Sequence, residues 1–176
     1  VDRTEKFWMY KDNWKLVELT TDELLLQVDK ATGSIRYMAQ DEEASGKPRL
    51  LLAERLKECR QLEDLSGKRK RTWLYLDWPK EEHLYGFGVP GQASIPLKGS
   101  ARYLSQQDEG GRLPFLLSDK GYGILLATDF PAYCCDIPAY GSYLYTEYPR
   151  QMDFYFIAGK RQDTILNACA YLCGSL

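Results

Sequence analysis

Short apolar and aromatic runs recur along the whole chain, and turn residues cut each one off before it reaches helix length. Residues 24–28 form one such run, closed by Asp29-Lys30-Ala31-Thr32-Gly33. Ser34-Ile35-Arg36-Tyr37-Met38 then alternates, with Ile35 and Tyr37 on one side and Arg36 on the other. Two runs around a Gly-containing turn predict a hairpin. Further strands are expected at residues 14–19, 71–76, 113–117, 122–128, 132–137, 140–147 and 152–157. The Leu-rich stretch 49–56 fits strand or helix, because so short a run carries no decisive period. Dense strands with turns every 8–12 residues or so indicate an antiparallel sandwich or barrel. The strands do not alternate with helices, so a parallel α/β sheet is set aside. With 13 Tyr, 6 Phe and 4 Trp, the chain has the aromatic content that pleated surfaces favour.

One helix is expected, over about residues 162–173. Asp163 stands at its start and Gly174 at its end. Ile165, Leu166, Cys169, Leu172 and Cys173 fall at three- and four-residue steps and make one apolar stripe. The 176 residues suit a single domain, 1–176. Residues 40–47 read as an exposed loop. Residues 89–111 form the longest stretch without a clear period, and a loop of that length is usually functional or mobile.

Charge and composition exclude several functions. The net charge of −2 lacks the basic face a general nucleic-acid binder needs. Lys68-Arg69-Lys70-Arg71 reads as a solvated turn. No stretch approaches the roughly 20 apolar residues of a membrane span. No signal-peptide pattern opens the sequence, so a cytoplasmic protein is expected. The five Cys cannot all pair with one another, and free, buried thiols are the simpler expectation. Cys134 and Cys135 are adjacent and would face opposite sides of a strand. Cys169 and Cys173 match no standard zinc spacing. No metal and no cofactor is expected.

Several motifs fall in one order. His83-Leu84-Tyr85-Gly86-Phe87-Gly88 comes first. Leu113-Pro114-Phe115-Leu116-Leu117-Ser118 follows, then Lys120-Gly121-Tyr122-Gly123-Ile124-Leu125-Leu126. Asp153-Phe154-Tyr155-Phe156-Ile157-Ala158-Gly159 is next, and Tyr171-Leu172-Cys173-Gly174 closes the series. Over residues 24–176 this set resembles the N-terminal domain of glycoside hydrolase family 31, the α-glucosidase and α-xylosidase family. Val89-Pro90-Gly91 follows where the family often has an acidic residue, and Cys173 stands where Thr is more frequent.

The resemblance implies an all-β fold: an antiparallel β-sandwich of the galactose mutarotase-like supersandwich kind, with a short C-terminal helix leading to a catalytic (β/α)8 barrel. Such a barrel needs roughly 250 residues of its own and is absent from this chain. Retaining glycoside hydrolysis needs two carboxyl groups about 5–5.5 Å apart. The resemblance assigns both to the barrel, so no catalytic residue is expected here. The expected partners are that barrel and an α-linked oligosaccharide or glycoside, with neither nucleic acid nor membrane.

The resemblance also implies that the loop Ser105-Gln106-Gln107-Asp108-Glu109-Gly110-Gly111-Arg112 reaches the sugar site. Asp108 would accept sugar hydroxyls, with Gln107 and Arg112 as further substrate-binding candidates. A carboxylate with two acceptor oxygens suits vicinal hydroxyls, and paired Gly residues let backbone approach a ligand. A plain polar hairpin tip is the competing reading. Tyr85-Gly86-Phe87-Gly88 lacks the Gly spacing and following helix of a phosphate loop, and reads as close strand packing. The single His83 argues against a free-standing epimerase. A free-standing carbohydrate-binding sandwich, stacking sugars on Trp78, Tyr140 or Tyr143, is the alternative function.

Overall fold

The structure is a computed structural model and describes residues 9–40, 47–65, 70–88, 95–105, 113–147 and 151–174. The chain groups into two compact units, divided between Cys59 and Arg60. In the first, five strands run as an antiparallel meander: β1 (Met9–Asp12), β2 (Leu16–Thr20), β3 (Leu24–Asp29), β4 (Ile35–Ala39) and β5 (Arg49–Glu54). The expected hairpin joins β3 to β4. Asp29 Oδ1 accepts the N–H groups of Ala31 (3.0 Å) and Thr32 (2.9 Å), and Gly33 takes the positive φ of 74° that closes the turn. The ambiguous Leu-rich stretch is strand β5. Its last residue, Glu54, is buried, and its carboxylate accepts Tyr37 Oη at 3.1 Å.

The second unit holds β6 (Arg60–Asp64), β7 (Lys70–Asp77), β8 (Leu84–Gly88), β9 (Ala101–Leu104), β10 (Leu113–Ser118), β11 (Tyr122–Leu126), β12 (Ala132–Ile137), β13 (Gly141–Glu147), β14 (Phe154–Ala158) and helix α1 (Gln162–Leu172). Within this unit β6, β7, β13, β12 and β9 pair in that order. A second sheet runs β14-β11-β10-β8. All these pairs are antiparallel, and among the described residues no sheet closes into a barrel. Leu74, Leu144 and Cys134 lie in register on the buried face of the first sheet. Leu116, Ile124 and Leu126 are buried on the second. Two side chains bridge the sheets. Arg102 of β9 donates to the Gly86 carbonyl of β8, and Trp78 after β7 donates its indole N–H to Tyr122 Oη of β11 at 3.0 Å.

The other face of the second sheet carries α1. Ile165 and Cys169 pack there with Phe115 and Leu125, flanked by Leu117 and Ile157. A methyl group at Gly123 would stand 2.6 Å from the Phe115 ring and 3.0 Å from Ile165 Cγ2, so the helix lies where this glycine leaves room. Gly86 has a φ of 89° and lies against the Phe115 carbonyl, too close for any side chain. Strand packing is therefore the role of the Tyr-Gly-Phe-Gly element.

Two expectations need correction. The stripe on α1 is narrower than its spacing suggests: Ile165 and Cys169 are buried, but Leu166, Leu172 and Cys173 are exposed. Asp163 stands in the first turn of α1, as expected at the start of the helix, and the N-cap, Arg161, makes no side-chain cap hydrogen bond. Second, the stretch 89–111 contains a strand, β9. Its alternation is masked because Arg102 spends its charge on backbone carbonyls inside the fold.

Candidate functional site

Register places six strand ends on one rim of the second unit. Leu104 at the end of β9 faces Ala132 at the start of β12, and Ala132 faces Thr146 near the end of β13. Phe115 near the start of β10 faces Leu125 near the end of β11, and Leu126 faces Phe154 at the start of β14. The loop between β9 and β10 leaves and re-enters the sheets at this rim. Asp108, Gln107 and Arg112 lie in that loop, outside the described residues.

Beside the roots of this loop the rim holds a cavity of about 230 Å³. The β11–β12 connection lines it with Thr128, Asp129 and Phe130, and the approach to β14 adds Gln151, Met152 and Asp153. The Gln151 amide nitrogen donates to both Asp153 carboxylate oxygens, at 3.1 and 3.3 Å. The Asp153 carbonyl accepts the Ala127 N–H at 2.9 Å, which ties the two connections together. Thr146 forms part of the wall; it is buried, and its hydroxyl has no hydrogen-bond partner among the described residues. None of these residues stands out in the sequence, because they come from three separate segments. An aromatic residue next to an acid, Asp129-Phe130, was the only local signal.

The opposite end is closed instead. The short turn after Ser118 returns at once to Tyr122, and Glu82 is buried beneath it. One Glu82 oxygen accepts Ser118 Oγ and Tyr122 Oη, each at 2.5 Å, while the other has no partner among the described residues. Burial pushes the Glu82 carboxyl above its ordinary range, against the opposing pull of these two hydrogen bonds. His83 stands on the surface here, 2.8 Å from Asp119. Trp78 is buried in the same cluster and offers no stacking face. Tyr140 is exposed. Tyr143 belongs to a row of rings on the face opposite Leu74 and Leu144. The row runs Tyr103, Tyr133, Tyr143, Tyr75, with centroids 6.4, 5.9 and 5.6 Å apart.

All five cysteines are unpaired thiols. Cys59, Cys134, Cys135 and Cys169 are buried and Cys173 is exposed, which corrects the expectation that all are buried. Burial, and then the neighbouring Cys173, pushes the Cys169 thiol up to about 11. Among the described residues no three His, Cys, Asp or Glu side chains cluster as metal ligands, and no helix is long and apolar enough to cross a membrane.

No family model and no curated protein matches the sequence. Solved structures do match the fold. A Flavobacterium johnsoniae GH31 dextranase complexed with isomaltotriose is 20% identical, with a TM-score of 0.70, over 93% of this chain and 20% of its own. A GH31 α-xylosidase from a soil metagenome, complexed with xylose, is 18% identical with a TM-score of 0.71, over 91% and 25%. The cycloalternan-forming enzyme from Listeria monocytogenes, in complex with a pentasaccharide substrate, is 20% identical with a TM-score of 0.72, over 94% and 17%. This chain thus spans between about a sixth and a quarter of these three structures. Its all-β fold of antiparallel sheets with one C-terminal helix is the fold of a segment of glycoside hydrolase family 31 enzymes.

Proposed function

We propose that this chain is the N-terminal sandwich domain of a retaining α-glycosidase, packing on a catalytic barrel of the same polypeptide and lending the 105–112 loop to its sugar site. The observation that carries this reading is the fold likeness, nearly complete for this chain and partial for the enzymes. Those structures hold isomaltotriose, xylose or a pentasaccharide substrate, which supports a carbohydrate substrate. The rim supports the rest: the loop is rooted where β9, β10, β11, β12, β13 and β14 all present their ends. In this reading Asp108 accepts a sugar hydroxyl near the scissile bond, with Gln107 and Arg112 beside it. The enzyme works in the cytoplasm, and the 176-residue chain alone does not hydrolyse glycosides.

A charge-assisted hydrogen bond is worth about 1.5–3 kcal/mol. Asp108→Ala in the enzyme that carries this domain should lower kcat/KM by about 10–150-fold, and Asp108→Asn by less. A thermal melt of each variant should match wild type. Activity within twofold of wild type would reduce the loop to a hairpin tip, and a melt that falls in step with activity would make Asp108 a structural acid of its own turn.

One observation favours a second reading, a free-standing carbohydrate-binding module. The row Tyr103, Tyr133, Tyr143, Tyr75 provides contiguous aromatic faces, with Tyr103 52% exposed. Sugar binding by the isolated chain that is lost in Tyr143→Ala would decide for it.

A further inference from the structure

We propose that one face of the strands β1–β3 is the surface that packs on the catalytic barrel of the same polypeptide. This rests on the domain reading above and adds which face is used. Register builds the face. Tyr10, Leu19, Leu26, Tyr37 and Leu52 are paired in one row across all five strands of the first unit. Asp12, Val17, Val28 and Ile35 make a second row on the same side. The row between them points the other way and is polar throughout: Lys11, Glu18, Gln27 and Arg36, with Gln27 Nε2 donating to Glu18 Oε1 at 2.8 Å. An antiparallel sheet with this alternation has one face for solvent and one for a packed partner.

Burial along the apolar row is uneven. Leu52 and Tyr37 are 2% and 3% exposed, Leu26 and Leu19 are half-buried, and Tyr10 is 61% exposed. No residue of β1, β2 or β3 is buried. The apolar pattern thus runs on across three strands after its cover stops. Single exposed apolar side chains are ordinary, but a row of them in register marks a contact surface. Asp12, ion-paired with Lys30, stands at the margin, where interfaces carry their charge.

Area decides the occupant. Strands lie about 4.8 Å apart and rise about 3.3 Å per residue, so three strands of about five residues present a face of roughly 240 Å². Counted on both partners this is roughly 500 Å², well short of the roughly 1,200–2,000 Å² that holds separate chains together. A second copy is therefore a poor occupant. Interfaces between domains of one chain begin near about 600 Å², and a short tether raises the effective concentration of a partner to about millimolar. In the matched enzymes this fold takes 17–25% of the chain, so at least three-quarters of each polypeptide is tethered beside it.

The test is hydroxyl-radical footprinting of the 176-residue chain and of the enzyme that carries it. Met9 and Tyr10 are neighbours on β1, 60% and 61% exposed, and point to opposite faces. In the enzyme Tyr10 should lose most of its oxidation rate, while Met9 keeps its own. Leu19→Arg in the enzyme should return Tyr10 to its rate in the 176-residue chain; the wild-type comparison decides even where this variant fails to fold. Equal Tyr10 rates in the two wild-type forms overturn the proposal and leave the domain reading standing. Equal losses at Tyr10 and Met9 also overturn it, because the cover then does not select this face. So does Tyr10 protection in the 176-residue chain that grows with concentration, which makes a second copy the occupant. An intact polypeptide without a barrel removes the domain reading itself, and the proposal with it.

Discussion

Replacing Ile165 by Ala tests the docking of the helix, and Leu172→Ala on the same helix is its control. Ile165 has no exposed surface, and its methyl groups rest on Gly123 and Gly159. The change removes three carbons, each worth about 0.8 kcal/mol of burial. It also leaves a cavity that a rigid sheet cannot fill, since neighbouring glycines have no side chain to swing in. Together these give about 2–5 kcal/mol. For a domain of this length each kcal/mol lowers Tm by roughly 2–4 °C, so a shift of about 4–20 °C is expected. Leu172 is 40% exposed, and its truncation should cost about 1 kcal/mol or less. The assay is urea unfolding followed by circular dichroism and Trp fluorescence together, because two compact units can unfold in separate steps. If Leu172→Ala costs as much as Ile165→Ala, or Ile165→Ala costs under about 1 kcal/mol, the helix does not dock as described.

Gly123→Ala should destabilise by about 1–3 kcal/mol through overpacking against Phe115 and Ile165, and Phe115→Leu in the same chain should recover part of it. Glu82 gives a pH signature: its folded carboxyl sits above the ordinary 4.5, so its contribution is full below that pH and is lost as pH rises through the folded value. The stability of wild type minus that of Glu82→Gln should therefore fall as pH rises above 4.5 in paired urea titrations; a flat difference would contradict the burial argument. A thiol reagent should label Cys173 quickly in the native chain, and all five cysteines only after denaturation without reductant.

The strands that were legible in the sequence are those with one buried face and a turn at each end, such as the hairpin around Gly33. Polar edge strands were not. β6, Arg-Gln-Leu-Glu-Asp, buries almost nothing, so no apolar period marks it. Glu82 stands in the charged run Lys80-Glu81-Glu82, and only the fold reveals that Ser118 and Tyr122 meet its carboxylate. The helix stripe overran because spacing reports which residues share a face, not how far the neighbouring sheet extends beneath it. The rim cavity was illegible for a different reason. It depends on which strand ends register brings together, and pairing partners such as Ala132 and Leu104 are far apart in sequence.

The two ends of the second unit differ in how much change they can absorb. At the end holding Glu82, a tight turn sits over a buried carboxyl, and each added residue would pull Ser118 or Tyr122 off its hydrogen bond. At the other end the connections leave from paired strands whose register is already fixed by Leu104, Ala132, Thr146 and Leu126. Insertions there alter chain length without sliding any strand. Grafting longer or shorter segments into this end would diversify what the domain touches while its interior stays the same. The scaffold thus has one terminus suited to variation and another that guards the fold.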